Sequence, residues 1–192
     1  MKTKNGRWTS MGLAALATIG APLLAQATPL VNGGFETGDF AGWTGIGDTS
    51  FNGVQCPGAG PGVFEGRCSA YFGPVEAPGG ITQTVDFGAA GVPWNLSFAL
   101  KADGSAPSSL TVRFGTQTLL SLTDPPAGDF TLYHFSGVST AASMALAFTF
   151  FDPTSFLFLD GVSVSAVPEP ATAGLLGVGL AALLVRRRRR TA

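Results

Sequence analysis

Between Thr28 and Val167 the chain is poor in base: only Arg67, Lys101 and Arg113 are cationic there, against 11 acids, a balance of about −8. Nucleic-acid binding needs clustered Lys and Arg to meet phosphate, and this stretch has none. One histidine, His134, occurs in the whole chain. That excludes a multi-histidine metal centre and leaves a His-dependent mechanism with a single candidate. Cysteine is limited to Cys56 and Cys68, so the chain is not a disulfide-dense scaffold. Sustained helical spacing of apolar residues is missing from the same region, and so is a Gly-rich phosphate loop. Gly58-Ala59-Gly60-Pro61-Gly62 has no following lysine or helix. Paired carboxylates occur only as scattered turn residues, which gives hydrolysis by an acid pair no footing.

What is present sits first at the two ends. Lys2, Lys4 and Arg7 form a basic start, Met11–Leu24 is mostly apolar, and Ala25-Gln26-Ala27 is a small-x-small cleavage site. This predicts a secretory signal peptide over residues 1–27, exported by the Sec translocon and cut by signal peptidase. The other end reads Val167-Pro168-Glu169-Pro170, then the uncharged run Ala171–Val185, then Arg186, Arg187, Arg188, Arg189 and Arg190. As a helix the run would reach about 22 Å at about 1.5 Å per residue, against about 30 Å of hydrocarbon. It can enter a membrane and is short for a permanent span. The arginines hold their end in the cytoplasm. Both termini then stay inside and the middle is looped out.

This tail resembles the PEP-CTERM protein-sorting signal of Gram-negative bacteria, through Pro168-Glu169-Pro170, the apolar run and the arginine cluster. The resemblance implies a transient membrane stay, recognition by a membrane-embedded exosortase, and delivery to the cell surface or matrix. An ordinary single-span tail anchor is the plainer alternative.

The exported middle, residues 28–165, is rich in Gly, Ser, Thr and Phe, and short segments alternate. Leu96, Phe98 and Leu100 share a face; so do Leu110, Val112 and Phe114, and Met144, Leu146, Phe148 and Phe150. Phe158, Val162 and Val164 form another such set, interrupted by Asp160. Ile81–Phe87, Phe130–Val138 and Thr118–Leu122 are further strand candidates. Turn chemistry separates them: Pro78-Gly79-Gly80, Asp103-Gly104, Asp124-Pro125-Pro126 and Asp152-Pro153. About eight strands so spaced predict one all-β domain, an antiparallel β-sandwich, flanked by the signal helix and a single hydrophobic C-terminal helix, with residues 166–192 as the sorting signal. Ser165–Pro170 reads as the linker. An oxidising compartment favours a Cys56–Cys68 bridge, which the chain-entropy account values at about 3 kcal/mol. A metal or redox pair is the alternative.

The opening Val31-Asn32-Gly33-Gly34-Phe35-Glu36-Thr37-Gly38-Asp39-Phe40 with Gly42-Trp43 is similar to the start of carbohydrate-binding jelly rolls. Phe158–Val164 is similar to their closing strand, and Tyr71–Gly73 with Ile81–Val85 to their middle. The resemblance implies first and last strands side by side, sometimes joined by a structural Ca²⁺. Glu36 and Asp160 match that role. Gly161 stands where many relatives have a second acid. The alternative is a carboxylate satisfied by backbone N–H groups of the Gly-rich opening. Trp94, Tyr133, Tyr71 and Trp43 are candidates for stacking on sugar rings; Trp94 and Tyr133 are expected at the surface, Trp43 in the core. His134 is expected to face as Phe130 and Leu132 do, as a structural residue. The function expected is a non-catalytic surface or matrix protein that binds polysaccharide; a glycan-active enzyme and a purely structural or adhesive component are the alternatives.

Overall fold

The computed structural model describes residues 30–58, 60 and 62–167, together with Gly179, Arg186 and Arg187, which are helical. The signal peptide, Pro168-Glu169-Pro170 and Arg188–Arg190 lie outside the described residues. Among those described, no helix is long and apolar enough to cross a membrane.

Among the described residues ten strands follow one another: β1 (Thr44–Gly47), β2 (Gly53–Gln55), β3 (Ser69–Phe72), β4 (Gly79–Asp86), β5 (Pro93–Lys101), β6 (Ser109–Phe114), β7 (Gln117–Thr123), β8 (Thr131–Val138), β9 (Ser143–Phe151) and β10 (Leu157–Ala166). They form two five-stranded antiparallel sheets, in the order β1-β4-β9-β6-β7 and β2-β3-β10-β5-β8. Alternation builds each strand. In β9, Met144, Leu146, Phe148 and Phe150 are all buried, and in β5 Trp94, Leu96, Phe98 and Leu100 are. Period 2 puts these residues on one face, and that face must be covered. Phenylalanines bridge the two layers: Phe72 stacks on Phe150 at 4.0 Å, and Phe98 meets Phe148 edge-on at 5.1 Å. Stacked and edge-on ring contacts add to the stabilisation from the area they bury.

The alternating segments recovered β4 to β10. Strands β1, β2 and β3 went unread because they are three or four residues long and two are glycine-rich. Two face assignments are corrected. In β8, Tyr133 pairs across from Phe98 and shares its inward face, while Leu132 is 44 % exposed and His134 points outward. Phe130 precedes the strand, so its parity does not carry into it. In β10 the pairing register shifts between Asp160 and Ser163, and Gly161 takes φ +58. Such a bulge switches the faces. Leu157 and Leu159 face the core before it, Val162 and Val164 after it, and Asp160 is on the outer side. Strand β10 also extends further than a linker at 165 would allow: Ala166 pairs with Trp94, and the Val167 N–H donates to the Pro93 carbonyl at 2.8 Å.

Carboxylates tie the loops. Asp48 accepts the Ser50 hydroxyl and N–H, and its second oxygen accepts the N–H groups of Val75 and Glu76, both at 3.1 Å. The Ser50 hydroxyl, then these N–H groups, hold its carboxyl well below the usual range. A depressed carboxylate stabilises above its unfolded value, and that contribution disappears as pH falls below about 4. Thermal melts from pH 5 down to 2 should therefore show a falling Tm. Asp48→Asn should lower the Tm at pH 7 and flatten that acid limb; an unchanged limb would show that Asp48 does not carry it.

Candidate functional site

The outer face of the β2-β3-β10-β5-β8 sheet divides in two. One half is covered by the loop 56–68, closed by the Cys56–Cys68 disulfide with an S–S distance of 2.06 Å. The loop is held down by β10. Asp160, 0 % exposed, accepts the N–H groups of Phe64 at 2.8 Å and Glu65 at 3.1 Å on Oδ2, and that of Gly161 at 2.7 Å on Oδ1. Burial pushes its carboxyl up, and the nearby Glu65 charge adds to this; the three N–H groups oppose it. Within the loop the Gly62 carbonyl accepts the Ser69 hydroxyl at 2.6 Å and the Gln55 amide at 3.2 Å. Under this cover Ser69 and Ala99 are fully buried although they stand on the outer side.

The other half is open. Three neighbouring strands set out two transverse rows: Ser163, Ser97 and His134, then Ser165, Asn95 and Ser136. Strands lie about 4.8 Å apart, so each row spans about 10 Å. These residues line a hollow of about 320 Å³. All but the half-buried Ser97 are exposed, and none of the six side chains makes a hydrogen bond among the described residues. One row further along β8 is Leu132, opposite Ala99, and beside it the loop presents Phe64, 39 % exposed, its ring 6.0 Å from that of Phe130. A polar floor thus ends at an apolar wall. Hydroxyl, amide and imidazole groups can donate and accept, and the wall can take C–H surface. Among the described residues no carboxylate lines the hollow.

The expected aromatic candidates stand elsewhere. Trp94 is 1 % exposed and packs edge-on against Phe114 at 4.9 Å, so it is a core residue and cannot meet a sugar at the surface. Its place follows from β5 parity with Leu96. Tyr133 is half-buried, stacked on Phe98 at 5.3 Å. Tyr71 packs edge-on against Phe156 at 5.3 Å. Trp43 is in the core as expected and donates its ring N–H to the Asn32 carbonyl at 3.2 Å. The floor residues were missed. Their signal was available: in β5 and β10 they alternate with the apolar set.

The opening and closing segments do meet, since the Val162 N–H donates to the Gly33 carbonyl at 2.9 Å. Glu36 accepts the N–H groups of Arg67 at 2.8 Å and Cys68 at 3.0 Å, which lower its carboxyl. The donors to Asp160 and Glu36 come from the disulfide-closed loop and its end, apart from the Gly161 N–H, and none comes from the Gly-rich opening. Among the described residues no three His, Cys, Asp or Glu side chains are grouped as a metal ion requires.

Residues 166–190 carry the PEP-CTERM protein-sorting motif. It marks an exported protein processed at the membrane. No curated protein matches the chain. Among solved structures, the sandwich is similar to TmCBM61, solved with β-1,4-galactotriose. Identity there is 16 % and the TM-score 0.59, covering 72 % of this chain and 97 % of that one. It is also similar to the enzymatically active domain of bacteriophage CBA120 tailspike protein 4, at 18 % identity and TM-score 0.54, covering 71 % of this chain and 21 % of that one. A third is the C-terminal family 22 carbohydrate-binding module of Clostridium thermocellum Xyn10B, at 15 % identity and TM-score 0.50, covering 71 % and 94 %. These likenesses show the fold: an antiparallel two-sheet sandwich of the kind found in carbohydrate-binding modules.

Proposed function

We propose that this is an exported, exosortase-sorted protein whose sandwich binds polysaccharide, without catalysis, at the cell surface or in the extracellular matrix of a Gram-negative bacterium. In this reading residues 1–27 are removed after Sec export by signal peptidase, residues 28–165 are the working domain, and residues 166–192 are the sorting signal. The tail passes through the membrane, where the exosortase reads Pro168-Glu169-Pro170 and the arginines Arg186–Arg190.

The observation that carries the binding reading is the two-row floor of Ser163, Ser97, His134, Ser165, Asn95 and Ser136 beside the Phe64–Leu132 wall. Sugars present alternating hydroxyl and C–H surfaces, and this face offers a partner for each. Its length suits about two linked rings, given the roughly 10 Å rows. The missing carboxylates weigh against a glycan-active enzyme at this place. A glycan array probed with the protein is expected to give a restricted set of polysaccharide hits. Asn95→Ala and His134→Ala should each weaken the best hit about tenfold, the effect of roughly 1.4 kcal/mol. No hit at all would favour the structural or adhesive reading.

Of the four carboxylate oxygens that Glu36 and Asp160 would offer calcium, three already accept five N–H groups, and Glu36 Oε2 is the exception. Those bonds support a tie that is complete without a cation. Melting in EDTA and in excess Ca²⁺ should give the same Tm. A fall of several degrees in EDTA, reversed by Ca²⁺, would restore the metal.

A further inference from the structure

The sandwich has two ends, and their chemistry differs. One end gathers the connections 48–52, 73–78, 102–108, 124–130 and 152–156, which carry Asp48, Glu76, Asp103, Asp124, Asp129 and Asp152. The other gathers 87–92, 115–116 and 139–142, built from Gly, Ala, Ser, Thr and Val with Phe87, and without an Asp, Glu, Lys or Arg. Those uncharged loops are laced together. Gly91 N–H donates to the Ser139 carbonyl and Ser139 N–H to the Val92 carbonyl, each at 2.8 Å, and Phe87 N–H to the Ala142 carbonyl at 2.7 Å. The nearest charges are one of each sign: Asp86, which accepts the Gly88 N–H at 2.8 Å, and Arg113, whose guanidinium donates to the Thr116 carbonyl at 3.4 Å.

The uncharged end is also where the chain leaves the sandwich. Val167, 39 % exposed, is bonded to Pro93, and Pro93 pairs with Val138, which is 55 % exposed. Val92 and Pro93 are half-buried beside them. Val138, Val167, Pro93 and Val92 thus form an apolar rim around the exit point. After Val167 only residues 168–170 precede the apolar run that starts at Ala171. Three residues reach at most about 10 Å. The headgroup layer on one side of a bilayer is itself about 5–8 Å deep. With the run in the membrane, the rim has no room to stand clear of the lipid surface.

We propose that this end is a membrane-seating surface: while the tail is attached, the Val92–Pro93, Val138 and Val167 rim rests on the lipid headgroup–acyl boundary and the acidic end points away. Charge sorts the orientation. Anionic lipids repel the six acids of the far end and find none to repel in the near loops. The rim is small, but the tether keeps it at high effective concentration over the surface, so a weak apolar contact suffices. The contact ends when the tail is cut, because the rim alone buries too little to hold the body there. The binding face on β10, β5 and β8 runs up the side of the sandwich from this rim, its first row, Ser165, Asn95 and Ser136, two residues away.

The test uses the full chain in phosphatidylethanolamine–phosphatidylglycerol vesicles. A polarity-sensitive fluorophore is placed at Val138→Cys or, as the far-end control, at Gly128→Cys, where a side chain meets open space. Both variants are first checked for an intact Cys56–Cys68 bridge and unchanged circular dichroism. Lipids carrying a quencher at a shallow acyl position should quench position 138 at least threefold more than position 128. Equal quenching, stronger quenching at 128, or quenching at neither would overturn the proposal. So would quenching at 138 that vanishes when labelled chains are diluted to one per vesicle, since that marks a second copy as the partner.

Discussion

Gly33→Ala is expected to lower the Tm by on the order of 10 °C. A Cβ at this position would lie 1.9 Å from the Val162 carbonyl oxygen and 2.9 Å from its carbon. Both are backbone atoms of β10, one residue before Ser163, which pairs with Ser97 of β5, so the neighbour cannot turn aside as a side chain would. The opening segment must move instead. That breaks the bond from Val162 N–H to the Gly33 carbonyl and withdraws Phe35, 0 % exposed, and Trp43 from the core. Overpacking of this kind and a lost buried hydrogen bond together cost about 3 kcal/mol or more. The next residue supplies the control. A Cβ on Gly34 meets nothing nearer than 3.8 Å, and its backbone is not left-handed. Gly34→Ala should leave the Tm within about 2 °C of the parent, an effect of order 0.5 kcal/mol. Differential scanning calorimetry of the pair decides it. Equal effects would show that the opening and closing segments are not locked where the structure has them.

Asp160→Ala is expected to cost about 2–4 kcal/mol, since it strands three N–H groups, those of Phe64, Glu65 and Gly161, around a position that is fully buried. The effect is local first. The Phe64 and Glu65 amides, protected in the parent, should exchange with deuterium at least tenfold faster, while those of β9 keep their order. Because Phe64 forms the wall, glycan affinity should fall in the same variant without any change to the floor. The pH dependence runs opposite to that of Asp48. Burial raises the Asp160 carboxyl, so its contribution is complete below the unfolded value of about 3.9 and is lost as pH rises through the folded one. Asp160→Asn should remove that opposing slope. If amide exchange at 64 and 65 is unchanged, the loop is held by the disulfide alone.

The parts of this fold that could be read from the chain are those where one strand supplies all the information. Ser143–Phe151 alternates over its full length and is β9 to the residue. The cysteine pair closed as the compartment implied. What escaped depends on partners. Along the sequence Asp160 interrupts an apolar face, but the bulge at Gly161 changes parity within the strand, and no local pattern distinguishes the two cases. Alternation with Leu132 predicts Tyr133 outside; its cross-strand partner Phe98 puts it inside. Large aromatics are the obvious signal for a sugar site, but Trp94 and Trp43 are in the core, while the open face is made of serines, an asparagine and a histidine. Those residues lie at 95–97, 134–136 and 163–165, and they become one surface only when β10, β5 and β8 are in register.

The most direct test of the account is a calorimetric titration of the best array oligosaccharide into the parent and Ser97→Trp, which fills the centre of the floor. The account predicts at least a tenfold loss of affinity in a variant whose Tm stays within a few degrees of the parent. Undiminished binding by a correctly folded Ser97→Trp would contradict it and move the ligand to another face.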